Sequence, residues 1–357
     1  MIKYIGSKRK LVDIINDVVT LLPNVTSVVD LFSGTSRVGH RLKRSGYRIL
    51  SNDYNNYALT LGQCYIEANK EDVIKDVQLV LNDLKALPGK PGYFTQTFCV
   101  DSRFFQAKNG EKVDAMRDHI ETMSLDPLVK SVVLVSLMEA ADRVDCTTGV
   151  QMAFVKEWAP RAYNDIELRI PDVLSASKYG PCKAYLGDAV EMSKTLSADC
   201  FYLDPPYNQH KYNGNYHIWE SLVLWDKPEV YGVACKRVDV KTKHSVFNTK
   251  KTILPAMKQI FAQSDTRYLV VSFNNEGYIS KEDMEEALSL WGDVVVIEID
   301  FKRYVGALIG IHNPSGQKVG KVSHVRNKEY IYVVSKDSTD LVALRNSIHC
   351  TGSTLGI

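Results

Sequence analysis

Ser27-Val28-Val29-Asp30-Leu31-Phe32 reads as a short buried strand that Ser33-Gly34-Thr35-Ser36 stops at once. Arg37 to Arg44 then has a helical pattern closed by Gly46, and Tyr47 to Ser51 forms a second strand ending in Asn52-Asp53. Two strands separated by one helix lie side by side in parallel, which commits the segment to a β-α-β unit of the doubly wound kind. Further strands are expected at Lys183 to Leu186, Cys200 to Leu203, Tyr268 to Phe273, Val294 to Phe301 and Glu329 to Ser335. The last two are joined without a long helix, so they are expected to pair antiparallel at one edge. The fold class is therefore α/β, with a Rossmann-like sheet.

From about Tyr54 to Ala86 the periodicity is helical and ends at Pro88-Gly89-Lys90-Pro91-Gly92. Sheet alternation then stops until Ser177. Two helical stretches, near Asp114 to Met123 and Leu128 to Arg143, lie among loops rich in Gly, Asp, Arg and aromatic residues, as in an insertion with its own task. A chain of 357 residues accommodates that arrangement, since domains run to roughly 100–200 residues. Apolar runs such as Val294 to Ile299 fall far short of the ~20 residues of a membrane span. The first residues lack a signal-peptide core, so a cytoplasmic protein is expected.

Seven cysteines are scattered singly, with no C-x-x-C pair, and the histidines show no ligand spacing. Reduced thiols and no metal are the expectation. A net charge of +2 neither demands nor excludes a nucleic-acid partner, so any basic surface must be local.

The most specific motif is Asp204-Pro205-Pro206-Tyr207, directly after the apolar run Phe201-Tyr202-Leu203. Ligands of open α/β sheets bind just outside the carboxyl ends of the strands. There the two prolines fix φ and hold one carboxylate, one carbonyl and one ring in place. Carboxylate and carbonyl suit the two hydrogens of a planar amine, and the ring suits its face. Gly34 permits a tight turn beside a ligand, and the helix after it offers free N–H groups. Asp53, about twenty residues on, stands where an acid binds ribose hydroxyls. Together these point to an adenosine-containing cofactor. Gly187-Asp188 supplies another acid at a strand end, and Lys3-Tyr4-Ile5-Gly6-Ser7-Lys8-Arg9-Lys10 joins an aromatic, a glycine turn and a basic cluster.

In this order the motifs resemble the DNA adenine-N6 methyltransferases. The likeness is to the group whose cofactor region precedes its catalytic region, which includes GATC methylases and FokI-type modification enzymes. In that family K-[WY]-x-G-x-K, D-x-F-x-G-[ST], an acid after the second strand and D-P-P-Y follow one another. They match Lys3 to Lys8, Asp30 to Thr35, Asp53, and Asp204 to Tyr207. The resemblance implies a sheet of the S-adenosylmethionine-dependent methyltransferase type. Its catalytic part would be residues 1–70 and 177–340, with a mainly helical target-recognition region inserted at 71–176. The segment 208–251 would be an additional DNA contact.

The resemblance further implies S-adenosylmethionine as cofactor and double-stranded DNA as partner, with the association to the nucleoid made through DNA. Tyr4, Lys8, Asp30, Phe32, Gly34, Thr35, Asp53, Asp188 and Asp204 would surround the cofactor. Asp204 and Pro205 would grip the amine of a flipped adenine, Pro206 would stiffen the corner, and Tyr207 would stack on the base. For DNA contact, Arg103, Arg143, Gln151, Lys156, Arg161 and Asn164 stand in the insertion. Lys211, Lys236, Arg237, Lys241, Lys243, Lys250 and Lys251 follow the catalytic motif, and Arg303 lies in a later Gly-rich stretch. Arg, Gln and Asn are the side chains that pair with purine edges. A cytosine-N4 methylase, an RNA methyltransferase and an inactive DNA-binding relative are the alternatives. The resemblance also implies that a cognate restriction endonuclease, where one exists, would be a separate protein.

Overall fold

The structure, a computed structural model of the chain, describes residues 1–209, 211–302, 311–312, 318–320 and 326–351. Seven strands form the main sheet: β1 (Ser27–Asp30), β2 (Arg48–Asp53), β3 (Lys183–Leu186), β4 (Cys200–Leu203), β5 (Tyr268–Asn274), β6 (Asp293–Lys302) and β7 (Arg326–Ser335). Their order is β3-β2-β1-β4-β5-β7-β6. The first five run parallel, and β7 is antiparallel to both of its neighbours. The expected antiparallel pair exists, but β7 lies inside the sheet between β5 and β6, and only β6 is at the edge. A strand covered on both sides must be apolar, as Ile331, Val333 and Val334 are.

The strand order reverses between β1 and β4, which lie side by side with Asp30 opposite Tyr202. A crevice opens at such a reversal, outside the carboxyl ends of both strands. Helix α1 (Val12–Leu21) and helix α2 (Arg37–Arg44) pack on one face. Gly46, at φ +98°, ends α2 in a backbone conformation that favours glycine, and its N–H bonds the Lys43 carbonyl.

Helix α3 (Asn56–Gly62), helix α4 (Lys70–Ala86), helix α5 (Ala107–Thr122) and helix α6 (Pro127–Arg143) continue along that face. Asp126 caps α6 by accepting from the N–H groups of Leu128 and Val129, and Pro127 occupies the first turn, where its missing donor costs nothing. Val132, Val135 and Leu137 of α6 belong to the same apolar core as Val28 and Ile49 of the sheet. The helices between β2 and β3 therefore share the sheet's core and have no separate one. On the other face, Phe201, Leu269 and Val271 meet the helix Ile253–Gln263 through Met257 and Ile260.

The N-terminal loop, whose Tyr4, Gly6, Ser7 and Lys8 line the crevice, is tied down by contacts outside it. The Met1 ammonium pairs with Glu139, Lys3 Nζ lies 2.8 Å from Asp145, and Ile5 donates its N–H to the Tyr216 hydroxyl at 2.6 Å. Among the described residues no helix is long and apolar enough to cross a membrane.

Candidate active site

Beyond the buried end of β4, Asp204 turns into the crevice at the carboxyl ends of β1 and β4. Its Oδ1 lies 3.0 Å from Lys8 Nζ and accepts the Tyr207 hydroxyl at 2.5 Å. Its Oδ2 has no partner among the described residues. Lys8 also contacts Glu329 Oε1 of β7 at 2.6 Å and donates to the Tyr207 oxygen. The Tyr207 hydroxyl lies 2.9 Å from Glu329 Oε1, which accepts from Ser272 Oγ at 2.8 Å as well. The ring of Tyr207 packs on Phe273 with centroids 4.8 Å apart. Lys8, expected at the cofactor, is thus paired with the Asp204 carboxylate, while still lining the crevice.

Burial pushes the Asp204 carboxyl up to about 6; Lys8 pulls it down and Glu329 pushes it up. Burial alone would depress the Lys8 ammonium, but Asp204 and Glu329 outweigh it and hold the group above its ordinary value. Lys8 is therefore charged at neutral pH.

Beside this cluster lie the residues expected to surround the cofactor. Gly34, at φ +51°, brings the turn so close to Tyr4 that an added Cβ would sit 3.3 Å from the ring. The Gly34 N–H bonds Asp53 Oδ2 at 3.0 Å, and Asp53 Oδ1 accepts from the backbone and side chain of Asn55. Burial raises the Asp53 carboxyl, and these N–H groups draw it back. Phe32 lines the crevice with its edge toward Phe247, and Thr35 is buried there. Asp188 lines the crevice too, and its Oδ1 caps the helix Ala189–Thr195. Tyr4 lines the crevice and packs nearly parallel to Tyr216 at 4.5 Å and Tyr212 at 5.2 Å, two rings that lie 6.4 Å from each other and so do not enclose it from opposite faces.

Asp30 Oδ1 and Asn52 Oδ1, like Ser7 Oγ, Arg37 Nε and the Tyr202 hydroxyl, are buried polar atoms of crevice-lining residues that stand unpaired among the described residues. Asp30 receives the Gly39 N–H on Oδ2, but its Oδ1 has no partner. Burial, with smaller contributions from Asp204 and Asp53, pushes this carboxyl up to about 7. Asn52 donates to the Leu31 and Gly187 carbonyls while its own Oδ1 stays unpaired. Buried acceptors normally find donors, and a ligand carrying donors would satisfy Asp30 Oδ1 and Asn52 Oδ1. Asn52 and Glu329 were missed in the sequence. Asn52 adjoins Asp53 at a strand end, whereas nothing distinguishes Glu329 from a solvated acid.

The expected DNA contacts divide. Gln151 is 3% exposed and its Oε1 accepts the Ile218 N–H; Arg237 is 4% exposed and makes paired bonds to Asp226 and Asp239. Both hold the fold together, which corrects their expected place on a DNA-facing surface. Arg161 is tied to Asp145 by two bonds, and Arg143 to the Glu167 carbonyl. Arg103 bonds the Lys156 carbonyl and lies over the Trp158 ring at 4.9 Å. Lys211 contacts His244 at 3.0 Å, and Lys243 lines the crevice near Glu220 and Asp239. Lys156, Lys241, Lys250 and Lys251 are exposed. Arg303 lies outside the described residues. No group of His, Cys, Asp and Glu suited to a metal occurs among the described residues.

A family model described as D12 class N6 adenine-specific DNA methyltransferase matches residues 4–287. The type II methyltransferase M.NlaIII of Neisseria lactamica is 30% identical over 93% of the chain and 99% of its own length. The modification methylase StsI of Streptococcus sanguinis is 30% identical over 85% of the chain and 48% of its own length. M.FokI of Planomicrobium okeanokoites is 27% identical over 97% of the chain and 54% of its own length. The chain thus spans nearly the whole of the first relative and about half of the other two.

Proposed function

The chain belongs to the D12 class of N6 adenine-specific DNA methyltransferases, and from that premise we propose that it methylates N6 of an adenine flipped out of double-stranded DNA, with S-adenosylmethionine as donor. The observation that carries this reading is Asp204 Oδ2, unpartnered among the described residues, in a crevice where Asp30 Oδ1 and Asn52 Oδ1 are also unpaired. The residues fit the cofactor: Asp30 would take its ammonium, Asp53 its ribose hydroxyls and Asp188 its adenine, with the turn at Phe32 to Thr35 beside the methionine end. S-adenosylmethionine supplies a methyl group already activated on a sulfonium, so the protein needs no nucleophile of its own.

The protein's task is to make a poor nucleophile competent. The lone pair of an exocyclic adenine nitrogen is delocalised into the ring. Asp204 Oδ2 and the Pro205 carbonyl, accepting its two hydrogens, favour a pyramidal nitrogen whose lone pair points outward. The same carboxylate stabilises positive charge developing on that nitrogen and is the acceptor for its surplus proton. Pro206 keeps the corner rigid. Inside a duplex the amine is out of reach, so the base must leave the stack, at a cost of a few kcal/mol. Stacking on Tyr207, anchored by its hydroxyl, would return about 1–3 kcal/mol.

Exposed Lys156, Lys241, Lys250 and Lys251 are the proposed backbone contacts, and residues 71–176 and 208–251 the segments that present them. The chain would act as a modification methylase or as an orphan. Expression in a host without adenine methylation, followed by single-molecule sequencing, tests the reading. N6-methyladenine at one short motif is expected; N4-methylcytosine, or unmodified DNA, would refute it.

A further inference from the structure

We propose that Glu329 is a positioning residue of the transfer site, holding Lys8 and the Tyr207 hydroxyl so that one oxygen of Asp204 is fixed and the other faces the crevice. The inference rests on the reading of Asp204 given above.

Glu329 stands on β7, in register with Asn274 on one side and Ile299 on the other. It is 8% exposed in a strand whose next six residues are buried and mostly apolar. An acid in such a place costs stability unless its partners are well arranged, so an apolar residue would serve the sheet better. Three donors nevertheless converge on its Oε1: Lys8 at 2.6 Å, Ser272 at 2.8 Å and Tyr207 at 2.9 Å. It does not line the crevice, so its influence on a substrate must pass through those partners.

The charges give the second acid a purpose. With Asp204 alone, Lys8 would make a tight pair and neutralise the charge that the amine requires. Here the ammonium lies 2.6 Å from Glu329 and 3.0 Å from Asp204, so it is shared. One cation between two carboxylates leaves a net negative charge, and the unpartnered Asp204 Oδ2 carries it into the crevice. The Tyr207 hydroxyl has one hydrogen and two carboxylate neighbours, which ties the ring's orientation to both acids. The groups that bear on Asp204 are Lys8 of the N-terminal loop, Glu329 of β7, Tyr207, and more distantly Asp30 of β1, Tyr202 of β4 and Tyr212. Of these, Glu329 holds the Asp204 carboxyl up and Lys8 holds it down.

The test compares full-length wild type, Glu329→Gln and Asp204→Ala in methyl transfer to duplex DNA across pH. For Glu329→Gln, kcat should fall about 100-fold, the cost of a small misplacement, with KM for DNA little changed. The acid limb of its kcat profile should move to lower pH, because Lys8 is left to Asp204 alone. A fall in kcat with the limb in place would mark a structural role and overturn the proposal, as would an unchanged kcat. If Glu329→Gln fails to fold, Ser272→Ala, which removes a neutral donor from the same oxygen and leaves the Glu329 carboxylate to draw Lys8 away from Asp204, should lower kcat and move the acid limb to higher pH; an unchanged kcat, or a limb left in place, would overturn the proposal. An active Asp204→Ala would overturn the functional reading itself. An inactive Asp204→Ala beside an unaltered Glu329→Gln overturns only the role of Glu329.

Discussion

Lys8 Nζ lies 3.0 Å from Oδ1 of Asp204, joining the N-terminal loop to the end of β4. Lys8 is 6% exposed, so the contact is not a surface ion pair that water screens away. It ties the charge state of the Asp204 carboxylate to a loop held in place by Lys3, Ile5 and Met1.

Activity should therefore depend on pH through Asp204. Its carboxyl stands at about 6, against an ordinary value of 3.8, and in the proposed mechanism only the ionised form would accept both the amine hydrogen and the later proton. Transfer should be full above pH 7 and fall about tenfold per pH unit once pH drops below 6. A single-turnover profile on saturating DNA measures this. A rate flat down to pH 4.5 would contradict it.

Tyr207→Phe should displace that limb in the opposite sense to Glu329→Gln. The hydroxyl bond lowers the Asp204 carboxyl, so its loss raises the pH at which activity fails. The ring remains to stack, so capture of a fluorescent base analogue should persist, whereas Tyr207→Ala should weaken capture by about 1–3 kcal/mol.

Asp30→Asn should separate stability from cofactor binding. The Asp30 carboxyl is raised by burial from 3.8 to about 7. Between those values the folded protein keeps a proton that the unfolded chain releases, so stability falls as pH rises through the window. Removing the charge should stabilise the free protein at pH 8 by up to about 4 kcal/mol, with no difference below pH 4. Affinity for S-adenosylmethionine should drop at least about tenfold, the worth of one charged hydrogen bond. Urea unfolding and calorimetry read the two effects; a variant less stable than wild type at pH 8 would contradict the placement.

Lys250 and Lys251 are exposed, next to the helix Ile253–Gln263. If they meet phosphates, the double alanine variant should weaken binding to all DNA sequences alike. The slope of log affinity against log salt should become shallower by about 2. An unchanged slope would place the DNA elsewhere.

The strands and their acids were legible because a short apolar run with an abrupt polar end is the pattern of a buried strand leaving the sheet. Once β1, β2 and β4 are parallel neighbours, Asp30, Asp53 and Asp204 must gather at one end of the sheet. The place of β7 was not legible: hairpin-like pairing with β6 says nothing about which strand covers its other side. Gln151 and Arg237 misled for a related reason. Residue type describes what a side chain can bond, not whether the bond is made inside or outside, and here Ile218 and the pair Asp226 and Asp239 claim them. Glu329 looks like an acid at a frayed strand end until Lys8, from the far end of the chain, is placed against it.

The most direct test digests duplex DNA after reaction with wild type and with Asp204→Ala, quantifies methylated nucleosides by mass spectrometry, and measures DNA retention in parallel. Wild type should yield N6-methyldeoxyadenosine alone, and the variant none while still retaining DNA. Undiminished methylation by Asp204→Ala, or N4-methyldeoxycytidine from wild type, would contradict the account.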